Sequence, residues 1–192
     1  MRNFPTAFPA FVAALFAMLL ASNAPATEID GVRLADTMPL GGHELMFNGG
    51  GVRTRVVFKV YVASLYLPQK AADLQAVLAR GPRRIQLNLL RKLSAEQLID
   101  ALNDGLAENN TAAELAAIKP GTEQLAQIMK TFGEVKDKDV IALDYIDGAT
   151  QLSLNGDVKG SIPGEAFNQA LTRIWLGDKP VQTSLKKALL GG

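Results

Sequence analysis

Twelve consecutive residues, Val56 to Leu67, carry a single charge, at Lys59, and are otherwise dense in β-branched and aromatic side chains. Apolar residues occupy both faces of the run. A strand of that kind is stable only inside a sheet, with neighbours at both edges and cover on both sides. Pro68 closes it, because proline cannot donate to a ladder. The rest of the chain must supply the neighbours and the cover.

The segment from Glu28 to Leu67 reads as strand material broken by glycine, with Asn48-Gly49-Gly50-Gly51 as a glycine-rich turn. A short helix is expected around Ala71 to Arg80. Arg83 to Arg91 then alternates, with Ile85, Leu87 and Leu89 on one face, as a strand does. Ser94 with Gln97 forms a capping box ahead of Leu98, Ile99, Leu102 and Leu106, so Ser94 to Glu108 is predicted as an amphipathic helix. Thr111 to Lys119 and Thr122 to Phe132 read as two more helical pieces, separated by Pro120-Gly121. Strands return at Val140 to Ile146 and Gln151 to Leu154, with Asp147-Gly148 and Asn155-Gly156 as tight hairpin turns. Pro163-Gly164 opens a helix striped by Phe167, Leu171, Ile174 and Trp175 and stopped by Gly177, and Ser184 to Leu190 forms a last one. Strands, helices, strands and terminal helices in that order predict an α+β fold, helices covering one face of an antiparallel sheet.

Composition narrows the setting. Met1-Arg2-Asn3, an apolar stretch from Phe11 to Leu20, and Ala24-Pro25-Ala26 follow the charged, apolar and small-residue order of a signal peptide, with cleavage expected after Ala26. The apolar stretch is too short for a bilayer span, so residues 27–192 are expected as a single domain without a membrane anchor. Twenty basic residues face 19 acidic ones without a block of either sign, which gives nucleic acid nothing to bind. The chain has no cysteine, which excludes disulfides, thiolate metal sites and a cysteine nucleophile. Export without cysteine points to a Gram-negative type periplasm, with secretion as the alternative.

Few groups can carry chemistry. There is one histidine, His43, and no G-x-S-x-G elbow, so a hydrolytic triad is set aside. Asp100, Asp104 and Glu108 recur at helical spacing but read as a solvated face rather than a metal site. His43, in a glycine-flanked turn, reads first as a loop residue; the sharper alternative is an axial haem ligand, supplied twice by a homodimer. The glycine run lacks the lysine and following helix of a phosphate-binding loop.

The segment Gly49-Gly50-Gly51-Val52-Arg53-Thr54-Arg55 followed by Lys59-Val60-Tyr61 and Leu65-Tyr66-Leu67, taken with Ile174-Trp175-Leu176-Gly177-Asp178 before Pro180-Val181, resembles the chalcone isomerase-like proteins. The resemblance implies an open-faced β-sandwich, a large antiparallel sheet backed by helices, with an apolar ligand cleft between the layers. In that family plant enzymes cyclise chalcones, while other members bind fatty acids.

The isomerising members use an arginine after the glycine run, a threonine on the central strand, and a tyrosine and an asparagine on a helix. Here Arg53 matches the arginine, but the other three positions fall on Tyr61, Leu98 and Gly105. The resemblance therefore implies a non-catalytic, fatty-acid-binding type of site, in which Arg53 and Tyr61 contact the carboxylate; an isomerase or intramolecular lyase is the alternative. A guanidinium fork and a buried phenol beside an apolar sleeve suit a carboxylate-bearing or other small amphipathic ligand. On an unbroken strand, eight residues separate the two groups by roughly 26 Å, so the pairing requires a bend or bulge after Arg53. The plainer reading has Arg53 bonded to turn carbonyls and Tyr61 packed in the sheet. Arg55, Lys59, Tyr66 and Trp175 are secondary candidates, Trp175 more as core than as ligand wall.

Overall fold

The computed structural model describes residues 26–79 and 81–192; the expected signal peptide lies outside the described residues up to Ala26. A small hairpin, β1 (Ala26–Ile29) with β2 (Val32–Ala35), leads into β3 (Thr37–Leu40), β4 (His43–Arg55) and β5 (Phe58–Leu67). Helix α1 (Leu74–Ala79), β6 (Arg83–Leu89) and the short β7 (Leu93–Ser94) follow, then α2 (Ala95–Asn109) and α3 (Ala112–Lys130). The chain finishes with β8 (Glu134–Val135), the meander β9 (Val140–Ile146), β10 (Ala149–Leu154) and β11 (Asp157–Pro163), and the helices α4 (Glu165–Leu176) and α5 (Thr183–Leu189). Seven strands form one antiparallel sheet in the order β11-β10-β9-β6-β5-β4-β3, and β5 has a neighbour on each edge as its composition demands.

Local signals explain most of these elements. Ser94 and Gln97 make the reciprocal capping box of α2, and Thr111 and Glu114 repeat it for α3. Asp147-Gly148 and Asn155-Gly156 all have positive φ, the conformation that two-residue hairpins of the matching twist need. Along β6, Ile85, Leu87 and Leu89 turn towards the helices and join Ala63, Leu65 and Leu67 of β5, Ile141 and Leu143 of β9, and Phe167, Leu171, Ile174 and Trp175 of α4 in one buried core. A smaller cluster of Leu40, Leu45, Tyr66 and Ile146 sits separately.

Three expectations are corrected. The run Val56 to Leu67 is not one unbroken strand: Arg55 pairs with Phe58 across a two-residue turn at Val56-Val57, and the strand proper is Phe58–Leu67. Val56 takes φ +57°, a left-handed conformation that opposes its β-branched side chain, so propensity could not reveal a turn there. Asn48 to Gly51 is not a turn either, but the middle of the 13-residue strand β4, with a bulge between Phe47 and Gly49. Its glycines let α5 lie directly on the strand: a Cβ on Gly49 would sit 2.1 Å from the carbonyl oxygen of Ala188, and one on Gly51 3.0 Å from the Ala188 side chain. Asn48 fastens the same helix, its amide donating to the carbonyls of Leu189 (2.7 Å) and Ala71 (2.9 Å). Finally, Pro120-Gly121 does not divide two helices. Both lie inside α3, where Gly121 makes room for Phe167 and Ile162 and tertiary packing outweighs the lost backbone bond.

Helices α2, α3 and α4 form the cover. A Cβ on Gly105 of α2 would meet Ile174 of α4 at 2.8 Å, so the glycine sets the closeness of that crossing. Arg173 of α4 ties the start of α3 through Glu114, at 2.9 Å, and through Asn110, at 2.8 Å.

Candidate functional site

The Val56-Val57 turn and a bulge just before it decide the site. The chain reverses there, and a β-bulge between Arg53 and Thr54, with Val60 as the extra residue, shifts the register so that Arg53 of β4 pairs directly across the ladder with Tyr61 of β5 rather than with Val60. Cross-strand partners project from the same face with Cβ atoms about 5 Å apart, rather than the roughly 26 Å of a continuous strand. The hairpin thus brings together the two residues that the sequence separates.

Both line a cavity of about 780 Å³ between the sheet and the helices. Its inner wall is apolar and buried: Leu87, Ile141, Leu143 and Leu152 from the sheet, Leu102, Leu125 and Met129 from α2 and α3, Ile174 and Trp175 from α4. Exposed residues line its outer part: Arg55, Val56 and Phe58 from the β4–β5 hairpin, Arg91 after β6, Asp104 and Glu108 from α2, and Asp178 and Lys179 after α4. Arg53 and Tyr61 are partly buried, between the dry interior and the outer part.

Burial pushes the Tyr61 phenol above its ordinary pKa, opposed by the Trp175 indole and by the nearby Arg53 guanidinium, so the phenol is neutral at physiological pH. The Trp175 Nε1–H donates to the Tyr61 oxygen at 3.1 Å. The phenol's own proton has no acceptor among the described residues and remains free to donate. Trp175 is therefore both core and cavity wall, and it orients the tyrosine.

Arg53 donates through Nη1 to the carbonyl of Thr54 and to Gln182 Oε1 at 3.3 Å, and faces no carboxylate partner among the described residues. The plainer expectation has Arg53 bonded to turn carbonyls; the carbonyl it meets, that of Thr54, belongs to strand β4. Gln182 does more than touch Arg53. Its amide accepts from the Thr54 N–H at 2.9 Å and donates to the Val52 carbonyl at 3.2 Å, pairing the free edge of β4 as another strand would. Sequence reasoning missed Gln182, because only the fold carries a residue about 130 positions away to that edge.

The secondary candidates divide. Arg55 lines the outer part of the cavity; Lys59 pairs with Asp30; Tyr66 is fully buried in the smaller cluster, away from the cavity. His43 begins β4, exposed, at the opposite end of that strand from Arg53, and does not line the cavity. Asp100 lies on the exposed part of α2, and the described residues hold no cluster of metal-ligating side chains. Leu98 and Gly105, the positions that the resemblance sets against a tyrosine and an asparagine, both line the cavity.

An antiparallel sheet covered on one face by helices, with an apolar cavity between the layers, is an open-faced β-sandwich. The chain belongs to the chalcone isomerase-like family, whose pattern it matches over residues 26–191. Among solved structures it is similar to a fatty-acid binding protein of Arabidopsis thaliana, with a TM-score of 0.63 over 83% of this chain and 92% of that one, at 11% sequence identity. A search of curated protein sequences finds no significant match.

Proposed function

We propose that this protein is a non-catalytic binder of a long-chain carboxylate such as a fatty acid, acting after export to the periplasm. The observation that carries the reading is the pairing of Arg53 with Tyr61 on the wall of an apolar cavity. A carboxylate meeting the guanidinium and the neutral phenol gains a charge-assisted contact and a directed hydrogen bond, while the alkyl chain runs inward over Leu87, Leu102, Leu152 and Met129. The cavity volume lies in the range typical of small-molecule sites. The Arabidopsis protein of similar fold supports the ligand class.

Tyr61, Leu98 and Gly105 weigh against chalcone cyclisation, since the side chains that would order a water and share a developing oxyanion are replaced by a phenol and apolar surface. The signal-like order of residues 1–26, and a family match that begins at residue 26, support removal of the leader and a single exported domain.

Native mass spectrometry of the protein recovered from the periplasm of its expressing cell tests this reading. The expected result is a mass beginning at Thr27 that carries a lipid-sized carboxylate, displaced by added palmitate. Turnover of a chalcone by the purified protein, or a preparation that arrives empty and takes up no fatty acid, would refute it.

A further inference from the structure

The hairpin tip beside the cavity is unlike the rest of the surface. Of the five large apolar side chains exposed among the described residues, three are consecutive here: Val56 at 89%, Val57 at 78% and Phe58 at 58% exposure. Val56 holds φ +57°, where glycine or asparagine would be under less strain, so neither burial nor turn geometry accounts for a valine. Two cations stand beside the tip. Arg55 and Arg91 have no ion-pair partner among the described residues, and the Arg91 guanidinium lies over the Phe58 ring, 5.1 Å from its centroid. Lys59, one residue further, pairs with Asp30; the acidic residues Asp104, Glu108 and Asp178 line the same cavity from α2 and the segment after α4, with Glu108 paired to Lys179.

We propose that the Val56-Val57-Phe58 tip docks the protein on an anionic phospholipid surface, the three apolar side chains entering the interface and Arg55 and Arg91 meeting lipid phosphates. A protruding loop of three residues cannot supply the roughly 800 Å² per partner of a stable protein interface, but it matches the shallow insertion of peripheral membrane anchors. Exposed apolar residues flanked by two arginines without ion-pair partners among the described residues complement a negatively charged leaflet. The docking rests on the tip alone; its use, loading or unloading a lipid through the outer part of the cavity that Val56 and Phe58 line, rests on the binding function proposed above.

Co-sedimentation of the full chain with vesicles of phosphatidylcholine and phosphatidylglycerol in equal parts, against phosphatidylcholine alone, tests the proposal, with the N-terminus of every preparation fixed by mass. Wild type should bind the mixed vesicles, more weakly as salt rises. The double variant Val56→Gly, Val57→Ser should bind about tenfold more weakly while melting no lower than wild type, because glycine relaxes the turn. Arg55→Ala should lose about fivefold at low salt. Equal binding by wild type and the tip variant, equal binding to neutral vesicles, or a tip substitution that changes only self-association or capture of an acidic protein would overturn it. The fatty-acid content of the same preparations separates the two readings: cargo without adsorption removes the docking alone, and adsorption without cargo removes the binding function alone.

Discussion

Removing the Arg53 guanidinium should weaken the binding of a fatty acid and leave that of the matching fatty alcohol almost untouched. The alcohol fills the same apolar cavity with the same chain but brings no charge, so comparing the two ligands isolates the head group from the sleeve. A hydrogen bond to a charged partner contributes about 1.5–3 kcal/mol when water is excluded. Arg53 is only partly buried and already gives Nη1 to Thr54 and Gln182, which places the effect in the lower half of that range. Arg53→Ala should therefore lose about tenfold to thirtyfold in affinity for palmitate and less than about threefold for hexadecanol. Arg53→Lys should fall between, retaining charge without the planar fork. Titration calorimetry on delipidated protein, with melting curves for each variant, is the assay. If both ligands lose equally, Arg53 acts by holding the edge of β4 through Thr54 and Gln182, and the carboxylate lies elsewhere.

Two further outcomes follow from the packing and the caps. Gly49→Ala puts a methyl group where the Ala188 backbone oxygen stands, and because a helix backbone cannot step aside as a side chain can, denaturant unfolding should show a loss of about 3 kcal/mol or more. Glu114 accepts from the Thr111 N–H at 2.8 Å, from the Thr111 hydroxyl and from Arg173, which hold its carboxyl down to about 2 against an ordinary 4.5. A depressed folded-state pKa stabilises fully above about 4.5, and the stabilisation is lost as pH falls through about 2. Glu114→Gln should thus melt below wild type at neutral pH, with the gap closing between pH 4.5 and 2; a gap constant across that window would show that the charge is not what matters.

What the sequence settled by itself is what short-range chemistry settles. The Ser94 cap, the Asp147-Gly148 and Asn155-Gly156 turns and the apolar stripe of α4 each place their signal within a few residues of its consequence, so these elements and the α+β layering could be read directly. The family could be read from the order of its motifs. Tertiary structure decided the rest. Val56-Val57 turns against its own propensity, and that reversal together with the bulge after Arg53 sets Arg53 opposite Tyr61. Gly49 to Gly51 read as a turn because glycine serves turns and close contacts alike, and only the position of α5 tells which. Pro120 stays helical because α3 is packed against α4 and β11. Gln182 reaches the edge of β4, and Trp175 the Tyr61 hydroxyl, across more than a hundred residues, a distance no local pattern spans.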